Sequence, residues 1–194
     1  TEFTALPADD ESDVKITATG GSIDSPMLED TIDIDAGQAY DVIALNNADD
    51  LELATNEVDL SPVPVDQARI RVIGASENAP DFDVEITDGP KLFDGIGFKD
   101  SSDSAVVDAS TYDIQFKDGD DVLARVEGFE TAANTSYDLV LIGNADDGTL
   151  QVIALSAPTA AIEGVNATPE STPGTGGAAL AETATPEVLS TPGS

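Results

Sequence analysis

The chain has 194 residues, 7 of them basic and 39 acidic, for a net charge of −32, a pI near 4.1 and 40% apolar residues. That charge repels nucleic acid and anionic membrane surfaces, while the apolar fraction predicts a folded body under an acidic skin rather than a solvated tail. With no cysteine, no histidine and one methionine, Met27, the chain excludes thiol and disulfide chemistry, histidine base catalysis and zinc sites.

The sequence opens at Thr1 without an apolar leader, and no run is long enough to span a membrane. It reads as a mature exported product or a trimmed fragment, in either case without membrane insertion. An acid-heavy, lysine-poor surface also fits a saline or cation-rich exterior, where counterions screen it.

Period-2 alternation of apolar and polar residues runs to about residue 157, and no helical stripe interrupts it. Within 1–60 the strand-like stretches are "DVKIT", "MLEDTIDID", "YDVIAL" and "LELATNEV", separated by "TGGS" and "DAGQ" turns. The proline-rich "SPVPVDQ" (61–67) follows as a joint short enough to keep its flanking units in contact. Residues 68–157 then predict about seven strands, near 68–74, 82–87, 91–98, 111–117, 121–130, 136–143 and 149–156. In "ARIRVIG" Ile70 and Val72 point inward, with Arg69 and Arg71 outward. "DFDVEIT" alternates in the same way, with Phe82, Val84 and Ile86 on one face. Short strands at regular spacing between turns predict an antiparallel β-sandwich.

The two regions are related. "YDVIALNNADD" (40–50) and "YDLVLIGNADD" (137–147) align without a gap at an offset of 97 residues. "LPADDESDVKITA" matches "VDASTYDIQF", and "LELATNEVDLS" matches "LQVIALSAP". Residues 1–60 are thus expected to be a partial sandwich unit holding only the later strands of the complete unit at 68–157. Residues 158–194 differ in kind: "ATPESTPG" is echoed by "ATPEVLSTPG" among Gly, Ala, Ser and Thr, giving a low-complexity Pro/Thr-rich tail that could be a stalk or a donor strand.

"ARIRVIGASENAPDFDVEITDGPKLFDGIGF", followed by "TYDIQF" and "TSYDLVLIG", resembles a domain-of-unknown-function family, DUF4397. That family opens with an R-V strand, then H-A-S-P-x-A-P-x-V-D-V and a D-G turn; here Gly74 stands where its histidine usually does, and "SENAP" (76–80) replaces S-P-x-A-P. The resemblance covers half a copy plus a whole copy. It implies exported, often tandem Ig-like β-sandwiches with no known catalytic residues.

Candidate site residues are few. Asp49, Asp50, Asp118, Asp120, Asp121, Asp146 and Asp147 cluster in acidic turns with the oxygen ligands that calcium prefers, although none has EF-hand spacing. No other cofactor is expected. Tyr40 and Tyr137 each begin a strand after a turn, where a tyrosine corner sits in Ig-like sandwiches. Asn134 and Asn166 lie in N-glycosylation sequons. The strand pair around 136–156 is apolar on both faces, with Tyr137, Leu139 and Leu141 toward the core and Val140, Ile142, Ile153 and Leu155 on the other side, which suggests contact with another domain or subunit.

The partial unit carries the functional expectation. Its apolar face needs a partner layer, and its missing strands leave open edges for β-augmentation. Completion can come from a neighbouring copy, from the tail, or from strands cut off with the front of the unit. The expected function is a non-enzymatic structural subunit of an extracellular filament or surface layer, assembled with other copies of itself by strand donation. Candidate assembly residues are Leu28, Ile32, Ile34, Val140, Ile142, Ile153, Leu155, Ile162, Val165, Leu180, Val188 and Leu189. The alternative is a cell-surface adhesion module on a Pro/Thr stalk, binding a cell-wall glycan.

Overall fold

A computed structural model describes residues 11–46 and 50–159, together with the backbone of 161–162. Among the described residues every regular element is a strand. In chain order they are β1 (Ser12–Ile16), β2 (Leu28–Ile32), β3 (Tyr40–Leu45), β4 (Glu52–Glu57), β5 (Val63–Pro64), β6 (Gln67–Gly74) and β7 (Phe82–Ile86). They continue with β8 (Lys91–Ile96), β9 (Ala105–Asp108), β10 (Thr111–Asp118), β11 (Asp121–Glu130), β12 (Thr135–Ile142), β13 (Gln151–Pro158) and β14 (Ala161–Ile162).

The complete unit is a sandwich of two four-stranded sheets, one ordered β11-β10-β7-β8 and the other β13-β12-β6-β9. All pairings are antiparallel except β6 with β12, which run parallel. Alternation along the strands sends Ile70 and Val72, Phe82 and Val84, Ile114 and Phe116, and Leu139 and Leu141 into one core, each no more than 2% exposed. Phe82 and Phe116 stack there with ring centroids 5.6 Å apart. The turn from β10 to β11 needs a left-handed residue, and Gly119 supplies it at φ 57.

Four features depart from the sequence reading. The complete unit has an eighth strand, β9, whose four residues "AVVD" are too short and too closely flanked by Ser and Asp to register as a periodic run. The joint is itself structured: Val63–Pro64 pairs in parallel with Ala161–Ile162, so the chain past β13 returns to the junction of the two units and the fold reaches beyond 157. The partial unit does not present a single apolar face awaiting one partner layer but splits into two two-stranded sheets, β1-β2 and β3-β4. Finally, Arg69 and Arg71 point away from the sandwich core yet are not at the surface; Arg69 is 6% exposed.

The last point follows from how the two units meet. Arg69 Nη1 donates to the carbonyls of Asp59 and Ser61, and Arg71 Nη1 donates to the carbonyl of Glu57 at 2.7 Å. Lys99 Nζ reaches Glu52 at 2.7 Å. The partial unit therefore lies on the outer face of the β13-β12-β6-β9 sheet, where Ile73 and Val140 are 2% and 0% exposed. The apolar second face predicted for β12 is real, and at its centre the other unit of the same chain covers it.

Gly74, at the end of β6, shows how closely the complete unit is packed. Its N–H donates to the Asp100 carbonyl and its own carbonyl accepts from Lys99 N–H. A Cβ there would lie 2.1 Å from the Gly97 carbonyl oxygen, so backbone would have to move. Gly74→Ala is expected to destabilise the fold by about 3 kcal/mol, the upper part of the usual range for overpacking. A urea unfolding curve with an unchanged midpoint would contradict that.

Candidate functional site

Two places could serve a function: the acidic turns and the exposed inner side of the partial unit. The turns do not assemble a metal centre. Asp118, Asp120 and Asp121 surround the β10–β11 turn with exposed side chains, and no group of three acidic residues with metal-holding geometry exists among the described residues. In the other turn Asp146 Oδ2 and Asn144 Oδ1 both accept from Asn78 Nδ2 at 2.9 Å, and the backbone N–H of Asp147 donates to Asn144 Oδ1. These hydrogen bonds tie the "NADD" turn to the "SENAP" loop. Asp50 is exposed; Asp49 lies outside the described residues.

Of the sequon asparagines, Asn134 sits at φ 57 with its side-chain oxygen enclosed and unbonded, and its main chain bonds Gln67 and Thr159. Asn166 lies outside the described residues. Both tyrosines behave as corners: the backbone N–H of Asp35 donates to Tyr40 Oη at 3.3 Å and that of Ala132 to Tyr137 Oη at 2.9 Å, each five residues upstream. A shallow depression lined by Thr87, Asp113, Ile114, Arg125, Val126 and Glu127 has about 50 Å³ of space, enough for a water or two.

The partial unit is more informative, because the complete unit shows what each of its strands lacks. β1 corresponds to β10 and β3 to β12. β10 is flanked by β11 and β7, and β12 by β13 and β6. Among the described residues β1 pairs only with β2, and β3 only with β4. The missing neighbours are counterparts of β6 and β7, one for each layer. Burial follows the same rule. Leu139 and Leu141 are 0% exposed, whereas their counterparts Val42 and Ala44 are exposed, Val42 at 40%. Ile114 and Phe116 are buried, whereas Val14 and Ile16 are half-buried.

The candidate assembly residues therefore separate. Leu28 and Ile34 are half-buried in the partial unit, but Ile32 is already enclosed at 7%. Val140, at 0% exposure, offers no surface to a further partner. Ile142 and Leu155 are half-buried at the margin of that contact and Ile153 is 39% exposed. Ile162 belongs to β14, and Val165, Leu180, Val188 and Leu189 lie outside the described residues.

Sequence reasoning missed the seam between the units. Asp41 of β3 and Asp138 of β12, the aspartates of the two repeated "YD" pairs, face each other across it, 8% and 3% exposed. Arg71 grips Asp138 through Nε, at 2.9 Å, and Nη2. Burial, then the hydrogen bond and the charge of Asp138, push the Asp41 carboxyl up to about 7, with Arg71 pulling the other way. Three of the chain's seven basic residues, Arg69, Arg71 and Lys99, stand along this seam. The repeat offset was the available signal, since equivalent residues that meet imply a back-to-back, self-complementary contact.

No curated protein is similar enough to this chain to count as a match. The model of one family, described as "Domain of unknown function (DUF4397)", matches residues 1–85 and again 75–172. With two copies of the match spanning most of the sequence, as the internal repeat and the paired sandwich units require, the chain belongs to the DUF4397 family.

Proposed function

We propose that the protein is a structural subunit of an extracellular filament or surface layer, joined to its neighbours by strand complementation of the partial unit. The observation that carries this is the contrast at equivalent positions: Val42 at 40% exposure against Leu139 at 0%, on strands that, among the described residues, have one neighbour and two respectively. An open edge beside an exposed apolar inner face is the acceptor geometry for an added strand. The occupant must supply one strand to each layer, as the β6–β7 segment does in the complete unit, and the strand beside β3 would run parallel to it. Subunits of charge −32 need counterions to pack closely, so low salt or a chelator is expected to loosen the assembly.

The test is self-association of the purified chain, followed by sedimentation and negative-stain imaging. Val42→Lys places a charge on the acceptor face at an already exposed position, so the subunit's own stability should change by no more than about 0.5 kcal/mol. Polymers should vanish. A truncation for testing tail donation belongs after Ile162 rather than at 158, because Pro158 and Ala161–Ile162 are paired. Wild-type chain that stays monomeric at high concentration while retaining a glycan on an array would favour the adhesion reading instead.

A further inference from the structure

Two equivalent carboxylates buried face to face require an explanation that stability does not give. Asp41 Oδ2 is enclosed and accepts no hydrogen bond, and the side chain as a whole is 8% exposed. Across the seam stand Asp138 on β12 and Arg71 on β6. Arg71 already holds both oxygens of Asp138 and the carbonyl of Glu57 on β4, and among the described residues no cation pairs with Asp41 itself. Arg69, the other arginine on β6, is engaged by Asp59 at 3.2 Å. Two ionised carboxylates sharing one guanidinium in a buried contact repel each other, and a proton held between them relieves that repulsion.

We propose that Asp41 and Asp138 form a proton-sharing latch between the two units, closed while Asp41 carries a proton donated to Asp138 and loosened when that proton is lost. The sign follows from the direction of the shift. A carboxyl raised from its ordinary 3.8 to about 7 holds the closed form most firmly below pH 3.8, and that hold is lost as pH rises through about 7. Between pH 5 and pH 8 the opening equilibrium of the seam should increase by about a hundredfold, the linkage value for such a shift. The latch opens toward alkaline pH, and it would free the β3–β4 hairpin to move on the outer face of the complete unit.

Hydrogen exchange over residues 40–57 of the full chain at pH 5 and pH 8, corrected for intrinsic base catalysis, reads the opening directly. Wild-type chain should show the hundredfold increase and Asp41→Asn, permanently uncharged, should abolish it. Asp41→Asn with the wild-type pH profile overturns the proposal. A carboxyl-carbon NMR titration of the wild-type chain decides the matter even if that variant fails to fold: titration of Asp41 near neutrality supports the latch, and titration near pH 4 overturns it.

Discussion

Replacing Arg71 by methionine is expected to cost about 3–5 kcal/mol at pH 8, the usual penalty for leaving a buried charge without its partner. Asp138 is 3% exposed and both its oxygens accept from Arg71, so the variant keeps a desolvated carboxylate stripped of its cation. The carbonyl of Glu57 loses its donor at the same time. The companion variant Arg71→Met with Asp138→Leu and Asp41→Leu removes the charges together and should recover most of the lost stability, since a buried ion pair adds little over a well-packed apolar replacement. Chemical denaturation of the two variants at pH 5 and pH 8 tests all of this. Equal stability of Arg71→Met and wild-type chain would mean that the seam is hydrated and the units are not closely docked.

Much of the sandwich was legible from alternation alone. "DFDVEIT" and "YDIQF" place their apolar residues on one face, and β7 and β10 occur there with Val84 and Phe116 at 0% exposure. Turn chemistry located the connections because glycine at positive φ is a local requirement, as at Gly119. What could not be read was which covering lies on a strand's second side. Arg69 and Arg71 alternate correctly, yet Arg69 is buried and Arg71 half-buried, because period 2 separates two faces without saying that another unit covers one of them. Val140 was expected on a face that touches another domain or subunit and it is buried there, but the pattern does not say which of the two covers it. β9 was missed because four residues hold too little pattern, and its pairing with β6 is long-range. The candidate acceptor was legible through the repeat: a strand that has two neighbours in one copy and, among the described residues, one in the other. The seam needed the structure, although Asp41 and Asp138 hold matching positions in the repeated "YD" pairs.

The same equivalence makes a quantitative test of whether the partial unit is unfinished. Phe116 is 0% exposed and packs on Phe82 between the two sheets of the complete unit. Truncating it to alanine should cost about 3–5 kcal/mol, combining lost transfer energy with a cavity that a two-sheet core cannot close. Ile16 occupies the corresponding place on β1, where it is only half-buried, so Ile16→Ala in the isolated chain should cost about 1 kcal/mol, in proportion to the smaller area it hides. Unfolding curves for the two variants separate these values. If strands from a neighbour complete the partial unit, Ile16 becomes a core residue on assembly. The Ile16→Ala penalty should then rise toward that of a buried isoleucine, about 2–5 kcal/mol, and appear as faster subunit loss from polymers. An Ile16→Ala cost that is already large in the monomer would place a covering segment of the same chain over the inner face. A cost small in both states would leave that face outside any assembly contact.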